Sequence, residues 1–155
     1  MGLDVSHDAW HGAYSAFSRW REKIADLVGI PLPLMEGFYQ APGGDSWDKL
    51  VEGKDPSNYG FWPFGSYYNN THKSLPVKWA SLKPDPIHVL LDHSDCDGEI
   101  SPTDAAKIAD RLEEIFTMLP NVEDTGHIGN WKDTTRRFID GCRLAAKANE
   151  PLEFR

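Results

Sequence analysis

The chain places oxygen and imidazole ligands at alternate positions of one short segment, His93-Ser94-Asp95-Cys96-Asp97-Gly98. In a tight loop, residues two apart turn their side chains toward a common centre, and glycine relieves the backbone where the loop reverses. Such a loop can fold around a hard cation. The segment therefore predicts a site for a divalent metal (Ca²⁺, Mg²⁺, Mn²⁺ or Zn²⁺), with these predicted ligands: His93, Asp95, Asp97 and Asp104.

The same spacing can be compared with the calcium loop of EF-hand proteins. The matching positions are His93 at 1, Asp95 at 3, Asp97 at 5, Gly98 at 6, Ile100 at 8 and Asp104 at 12. EF-hand loops have Asp at position 1 and usually the longer Glu at position 12. His93 and Asp104 therefore depart from the pattern at both ends of the loop. Because Ile87–Leu91 reads as a strand, we expect a strand–loop–helix acidic site rather than an EF-hand.

The segment from Ile87 to Ala106 also resembles the first motif of the DHH phosphoesterases, in which a strand ends in a DxDG loop that holds a catalytic metal. That resemblance implies metal-dependent hydrolysis of a phosphoester. The downstream Asp-His-His segment of the family is matched only by Asp92-His93, inside the loop itself.

A purely structural role for the acidic segment stays open beside the metal site. Ser101-Pro102-Thr103-Asp104 has the residues of a helix N-terminus: Ser as N-cap, Pro in the first turn and an acid three residues after the cap. Asp95 and Asp97 can also shape a turn by accepting hydrogen bonds from nearby backbone amides.

Two histidines near the N-terminus form a second candidate cluster. His7 and His11 lie four apart at the start of a predicted helix, so they would share one face, with Asp8 between them. A helix N-terminus also favours bound anions. If the strand before His7 pairs in parallel with the strand before His93, both histidines come to the same sheet edge.

Residues 34–82 contain many aromatic side chains and little periodicity. A disordered linker would be poor in aromatics, so this segment is predicted to be folded. Trp62, Tyr67 and Tyr68 neighbour small and polar residues, and we expect them to be partly exposed and able to stack on a base. The alternative is that these aromatics fill the core. Arg19 is the predicted phosphate grip, and the other candidates are Arg21, Arg136, Arg137 and Arg143.

Composition and periodicity bound the fold. The length predicts a single domain over residues 1–155. Apolar spacing predicts helices over about 8–28, 102–119 and 129–149, and strands at Leu3–Val5 and Ile87–Leu91. The expected fold class is α+β, with about three helices packed on a small sheet and a long aromatic-rich irregular segment.

Charge and cysteine usage limit the partners and the compartment. The net charge of −8 argues against binding of a nucleic acid polymer. No apolar run approaches the length of a membrane span, and the start shows no signal-peptide pattern. Cys96 and Cys142 lie far apart in the chain, which is typical of a protein in a reducing cytosol. Each is interpreted as a small apolar residue that fills the core. The oligomeric state stays open, a homo-oligomer included.

Two segments, Gly2 to Phe17 and His93 to Ile100, resemble a group of small proteins of unassigned function found in bacteriophages and prophages. The resemblance implies a phage-derived protein in the cytoplasm of a bacterial host. Small acidic phage proteins include inhibitors of host defence, some of which sequester signalling nucleotides.

These observations favour a binding protein that sequesters a nucleotide-like signalling molecule and so counters host defence. The predicted ligand-binding residues are His7, Asp8, His11, Arg19, Trp62, Tyr67, Tyr68 and His93. Two alternatives remain: a metal-dependent phosphoesterase that uses the His7/His11 and His93/Asp95/Asp97 cluster, and a metal-stabilised protein-interaction module. No residue is assigned a catalytic role.

Overall fold

The computed structural model describes residues 2–38, 76–122 and 128–155. The elements in chain order are β1 (Leu3–Val5), β2 (Trp10–Gly12), α1 (Tyr14–Leu27), α2 (Ile87–Leu91), β3 (Glu99–Ile100), α3 (Pro102–Phe116), α4 (Trp131–Ala148) and β4 (Leu152–Glu153). Single 3₁₀ turns lie at Leu32–Leu34 and Trp79–Ser81. The predicted α+β fold class is confirmed.

The chain divides into two compact units, Met1–Ile24 with Asp85–Arg155, and Ala25–Pro84. The first unit contains all four strands and helices α2 to α4. In the second, Met35 and Val77 form a parallel bridge. The single domain predicted over residues 1–155 stays a prediction.

Two antiparallel strand pairs, of which only β1 and β2 form a hairpin, are joined through the C-terminal strand. β1 pairs with β2, and Asp4 lies opposite His11; β3 pairs with β4, and Ile100 lies opposite Leu152. Asp4 N donates to Arg155 O at 3.0 Å, and Arg155 N donates to Asp4 O at 2.9 Å. The strands therefore lie in the order β2–β1–β4–β3.

The first hairpin shows that the prediction of a helix from residue 8 is wrong at its start. Buried Leu3, Val5 and Trp10 alternate with exposed or half-buried neighbours, which is the period of a strand. The chain reverses between the strands, where Ala9 N donates to Ser6 O at 3.2 Å. Helix α1 begins only after β2. Apolar residues of the hairpin happened to continue the helical spacing, so periodicity alone placed the boundary too early.

The prediction of a strand over Ile87–Leu91, paired in parallel with β1, is also wrong. These residues form α2, and Asp92 N donates to His88 O at 2.8 Å. Asp85 Oδ1 accepts a hydrogen bond from Ile87 N at 2.9 Å, just before the helix. Four of the five residues from Ile87 to Leu91 are apolar, a pattern that fits a strand and a short helix equally well, and the hydrogen bond to Asp85 favours the helix.

The ends of the longer helices agree with their capping residues. Ser101 Oγ accepts from Asp104 N at 3.1 Å, so the predicted start of α3 is confirmed, although the helix ends at Phe116. Asn130 Oδ1 accepts from backbone amides of the first turn of α4. At the other end of α4, Asn149 adopts φ 54°, the left-handed conformation that commonly closes helices.

Aromatic rings form the centre of the first unit. The Phe17 ring lies 5.0 Å from the Trp10 ring and 5.7 Å from the Trp20 ring, centroid to centroid. The Phe138 ring of α4 packs 4.8 Å from Trp20, and the Phe154 ring lies 6.0 Å from Phe17. These five rings connect α1, β2, α4 and the C-terminus, so burial of aromatic surface holds the hairpin and the C-terminus to the helices.

Candidate functional site

A surface pocket of about 320 Å³ lies where the turn of the first hairpin meets α4. Its lining residues are His7, Asp8, Asp133, Arg136, Arg137, Asp140, Gly141 and Leu144. Six of the eight side chains are charged or titratable, so the pocket suits a polar ligand rather than an apolar one.

One face of α4 supplies most of the lining. Asp133, Arg136, Arg137 and Asp140 recur at steps of three and four, and Gly141 and Leu144 continue the same face. Residues at these steps lie one above another along a helix. A single regular helix therefore fixes the relative positions of two carboxylates and two guanidinium groups.

The hairpin turn reaches the α4 face because Gly141 lacks a side chain. A Cβ at position 141 would lie 2.4 Å from Ala9 Cβ and 2.6 Å from Ala9 Cα, which no side chain can occupy. The close approach brings the backbone of the turn directly onto the helix. Gly141 therefore positions one wall of the pocket against the other.

His7 and Asp8 occupy the two central positions of the turn in an uncommon conformation. Their φ angles are 57° and 56°, the left-handed region that type I′ turns require and that glycine adopts at no cost. Asp and His are among the non-glycine residues that adopt this region most often. These two positions of the pocket lining thus carry imidazole and carboxylate side chains where glycine would fit more easily.

Arg137 clamps the turn through two contacts with the same residue. Its Nε donates to Asp8 O at 2.9 Å, and its Nη2 donates to Asp8 Oδ1. His7 Nε2 lies 3.3 Å from the Glu150 carboxylate, and the His7 side chain is only 18% exposed. Both turn residues are therefore oriented by partners close to α4.

Arg136 is held by acidic and aromatic partners on α3. Its Nη1 and Nη2 donate to Glu113 at 2.5 and 3.0 Å, and its guanidinium lies 4.4 Å from the centre of the Phe116 ring. Arg143 Nη1 also lies 2.9 Å from Glu113. Hydrogen bonding from Arg136 lowers the pKa of Glu113. The two pocket arginines thus differ: Arg136 is fixed by several contacts, and Arg137 by its contacts with the turn.

The two remaining carboxylates of the pocket are left to solvent. Within residues 2–38, 76–122 and 128–155, no group donates a hydrogen bond to the side chains of Asp133 and Asp140. Both residues are exposed. Carboxylates accept hydrogen bonds, so they can take up hydroxyl or amino groups of a ligand.

A second candidate region is the acidic loop, residues Asp92–Gly98, which packs against Arg21 of α1. The Arg21 side chain is almost fully buried; its Nη1 donates to His93 O at 2.6 Å, and its Nη2 lies 4.0 Å from Asp95 Oδ2. The guanidinium also lies 4.7 Å from the centre of the Phe17 ring. Burial lowers the pKa of Arg21, and the charges of Asp95 and Asp92 oppose that effect.

Internal hydrogen bonds and ring contacts shape the acidic loop. Ser94 Oγ donates to Asp97 Oδ1 at 2.7 Å. The His93 ring lies 4.2 Å from the Phe154 ring, and His93 Nδ1 is 2.7 Å from Ser94 O. Gly98 adopts φ 94°, where a Cβ would meet the His93 ring at 3.3 Å. These contacts agree with the structural interpretation of the segment.

The predicted metal ligands are placed around this loop but do not converge. In the part of the chain that the structure describes, no three His, Cys, Asp or Glu side chains form a group that could hold a metal ion. Asp95 lies toward Arg21, Asp97 toward Ser94, and Asp104 is in the first turn of α3. The metal at His93, Asp95, Asp97 and Asp104 stays a prediction.

The predicted ligand-binding residues are only partly brought together. His7 and Asp8 line the pocket, whereas His11 is exposed on β2 and pairs with Asp4. The prediction that His7 and His11 share a helix face is wrong, because both belong to the hairpin. Arg19 is exposed on α1. Trp62, Tyr67 and Tyr68 lie outside the described residues.

Sequence reasoning missed the acids of the pocket. Asp133 and Asp140 were not candidates, although Arg136 and Arg137 were named as possible anion grips. The available signal was the run of charged residues on one face of α4, and it could not reveal that the hairpin turn packs there.

Neither cysteine has the surroundings of a nucleophile. Cys142 is buried on α4, and burial raises the pKa of its thiol to about 12, so the thiol stays protonated at neutral pH. Its interpretation as an apolar filler is confirmed. Cys96 is exposed in the acidic loop beside Ser94, so its interpretation as an apolar filler is wrong.

Among the helices that the structure describes, none has both the length and the apolar character needed to cross a membrane.

Comparison of the chain with protein-family models, with curated proteins and with solved structures finds no match.

Proposed function

We propose that this protein binds a small nucleotide-like molecule in the pocket between the hairpin turn and α4. The observation that carries this proposal is the charged lining of a pocket of about 320 Å³. That volume is at the lower end of the range of small-molecule sites, which suits a single nucleotide rather than a polymer. The site residues define the expected contacts with each part of the ligand.

The lining supplies complementary groups for the polar parts of a nucleotide. The guanidinium groups of Arg136 and Arg137 match the geometry of phosphate oxygens. The carboxylates of Asp133 and Asp140 accept hydrogen bonds from ribose hydroxyls or from a base amino group. Leu144, which is 54% exposed at the end of the same face, offers an apolar contact to a base or sugar.

Sequestration needs only groups that bind the ligand, which this lining supplies. Hydrolysis of a phosphoester needs in addition an activated water, which a metal or a positioned general base supplies. The histidine of the lining, His7, has its Nε2 3.3 Å from Glu150, and it is the group that the alternative of turnover would use as a general base. The resemblance to small phage proteins supplies the setting, namely capture of a host signalling nucleotide in a bacterial cytoplasm to counter host defence.

Native mass spectrometry of the purified protein, followed by denaturation and identification of released small molecules, tests this proposal. We expect an intact nucleotide to be released, and a thermal-shift panel of mono-, di- and cyclic nucleotides to identify the class. Release of a dephosphorylated product, or turnover of added nucleotide, would favour the phosphoesterase instead. No binding across the panel would contradict the proposal.

Replacement of Arg137 by glutamine should weaken nucleotide binding by about 10-fold or more, because a hydrogen bond to a charged group contributes about 1.5–3 kcal/mol. Isothermal titration calorimetry measures the dissociation constant. Lys147→Gln is the matched control, since Lys147 is an exposed cation of α4 outside the pocket lining. Equal weakening in both variants would indicate a general charge effect and contradict the assigned contact.

A second candidate function is a metal-stabilised interaction module, which one feature of the fold favours. The segment before the acidic loop is the helix α2, and Ile100 at position 8 lies in the short strand β3 before helix α3. Helix, loop, short strand and helix follow one another in the order found in an EF-hand. The predicted strand at Ile87–Leu91 was one argument against this similarity, and that strand is absent from the described residues. The departures at His93 and Asp104 from the EF-hand pattern stay.

Addition of Ca²⁺ tests this candidate through the melting temperature. A ligand at about one hundred times its dissociation constant stabilises a protein by about 2.7 kcal/mol, which corresponds to roughly 5–10 °C for a chain of this size. We expect such a rise for the wild type and none for Asp97→Asn, whose carboxylate belongs to the loop. Asp110→Asn, on the exposed side of α3, controls for loss of one charge. A melting temperature that Ca²⁺ leaves unchanged would rule out this candidate.

A further inference from the structure

The contact between Asp8 and Arg137 places a carboxylate of the protein on a guanidinium of the proposed binding pocket. Arg137 Nη2 donates to Asp8 Oδ1, and both residues line the pocket. The partners are 129 residues apart in the chain, so the contact depends on the packing of the hairpin turn against α4. An anionic ligand that enters the pocket would meet an arginine whose Nη2 already donates to a carboxylate.

The exposure of this pair makes the carboxylate replaceable. The side chains of Asp8 and Arg137 are 81% and 45% exposed, so water can solvate either group when they separate. Exposed ion pairs contribute little to stability for this reason. A phosphate, with more charge and more acceptor oxygens than a carboxylate, competes well for the same donors.

The backbone contact of the same arginine is separate from the carboxylate. Arg137 Nε donates to Asp8 O at 2.9 Å, on the main chain of the turn. Rotation of the Asp8 side chain away from Nη2 leaves this bond in place, so the guanidinium keeps its orientation while Nη2 is released for another acceptor. Arg136 has no such freedom, because Glu113 and the Phe116 ring hold it on α3.

The position of Asp8 in the turn supports a role for its charge. Asp8 adopts φ 56°, where glycine would be unstrained. The only hydrogen bond of its carboxylate to the described residues is the one from Arg137. Among the described residues, the interaction of the Asp8 carboxylate is therefore the hydrogen bond from Arg137.

We infer that Asp8 is a built-in competitor for the phosphate of the ligand: its carboxylate occupies Arg137 in the empty pocket and gives way when the phosphate binds. This inference rests on the proposed function. The competition lowers the affinity for phosphate-bearing ligands and excludes small, weakly held anions. It selects ligands whose other parts, in contact with Asp133 and Asp140, add binding energy to that of the phosphate.

Calorimetric titration of wild type and Asp8→Asn with adenosine monophosphate and with adenosine tests the inference. Asparagine tolerates positive φ and lacks the charge, so the turn is retained. We expect Asp8→Asn to bind the monophosphate about 5–10-fold more tightly, and to bind adenosine with unchanged affinity. Inorganic phosphate alone should bind weakly to the wild type and more tightly to the variant.

The outcomes separate this inference from the proposed function. Equal affinity of both proteins for the monophosphate would overturn the competitor role and leave the binding pocket intact. A gain of equal size for monophosphate and adenosine would also overturn it, because the effect would not depend on the phosphate. If neither protein binds nucleotides or phosphate, the proposed function fails and this inference fails with it.

Two further variants keep the result interpretable. Asp8→Gly removes the carboxylate and relieves the positive φ, so it should reproduce the gain even if asparagine perturbs the turn. Asp110→Asn removes one negative charge outside the pocket lining and should leave the affinity for the monophosphate unchanged. A gain in Asp110→Asn equal to that in Asp8→Asn would attribute the effect to net charge and overturn the inference.

Discussion

Replacement of Arg21 by methionine should lower the free energy of unfolding by about 3 kcal/mol, because it removes a buried charge-assisted donor from the acidic loop. The carbonyl of His93 accepts from Arg21 Nη1 at 2.6 Å, and the carbonyl of Leu91 lies 3.4 Å from the same atom. Methionine fills part of the volume of the arginine stem but donates no hydrogen bond. Denaturation with urea, followed by tryptophan fluorescence, measures the change.

Arg19→Met is the matched control for this prediction, because Arg19 is an exposed arginine of the same helix. An exposed ion pair contributes at most about 1 kcal/mol, so the control should lose less than that. Desolvation acts in the opposite direction, because burial of a guanidinium is costly and its replacement by an apolar side chain can be neutral or stabilising. A variant Arg21→Met as stable as the wild type would show that desolvation outweighs the hydrogen bonds to the loop.

Gly141→Ala should destabilise the protein by about 3 kcal/mol, because its new Cβ would overlap the backbone of the hairpin turn. The Cβ would lie 2.4 Å from Ala9 Cβ, 2.6 Å from Ala9 Cα and 3.0 Å from Ala9 N. In an unconstrained helix the same change would stabilise by about 1 kcal/mol through helix propensity, so the sign separates packing from propensity. Urea denaturation gives the free energy, and nucleotide titration reports whether the pocket is preserved.

A second substitution tests the cause of that loss. Ala9→Gly removes the nearest atom, whereas the Cα and the amide nitrogen remain within 3.0 Å of the new Cβ. The double variant should therefore recover only part of the stability. Lys147→Ala, at an exposed position of the same helix, should change the free energy of unfolding by less than about 0.5 kcal/mol. An unaltered stability of Gly141→Ala would mean that the turn does not pack on α4 as described.

Capping residues allowed several elements to be predicted from local sequence. The cap formed by Ser101 depends on residues three positions apart, and the structure confirms it. Gly29 has φ 75° just after α1, the left-handed conformation that commonly ends helices. Such signals are reliable because the groups that interact are neighbours in the chain.

The errors arose where apolar spacing had two solutions. Trp10 belongs to β2, although its spacing to later apolar residues continues the pattern of α1. The apolar run Ile87–Leu91 forms a helix, and the deciding contact is made by Asp85 before the run. In both cases the spacing of the apolar side chains is compatible with a helix and with a strand. Hydrogen bonds made outside the apolar run determine which of the two forms.

The candidate site could be predicted only in part. His7 and Asp8 were identified from residue type, but on a helix rather than in a turn with positive φ. Arg137 was one of five arginines with no local feature to distinguish it. What distinguishes it is the contact with Asp8, which lies 129 residues away in the chain. A contact between residues so far apart in the chain cannot be predicted from local sequence patterns.

The sequence by itself determined the mixed fold class, the N-cap of α3 and the net charge of −8. These properties depend on composition and on interactions between near neighbours. The tertiary structure alone decided that the C-terminal strand joins the first hairpin to β3, and that Gly141 lets the hairpin turn reach α4. Those features depend on close packing between distant segments, which short-range patterns do not specify.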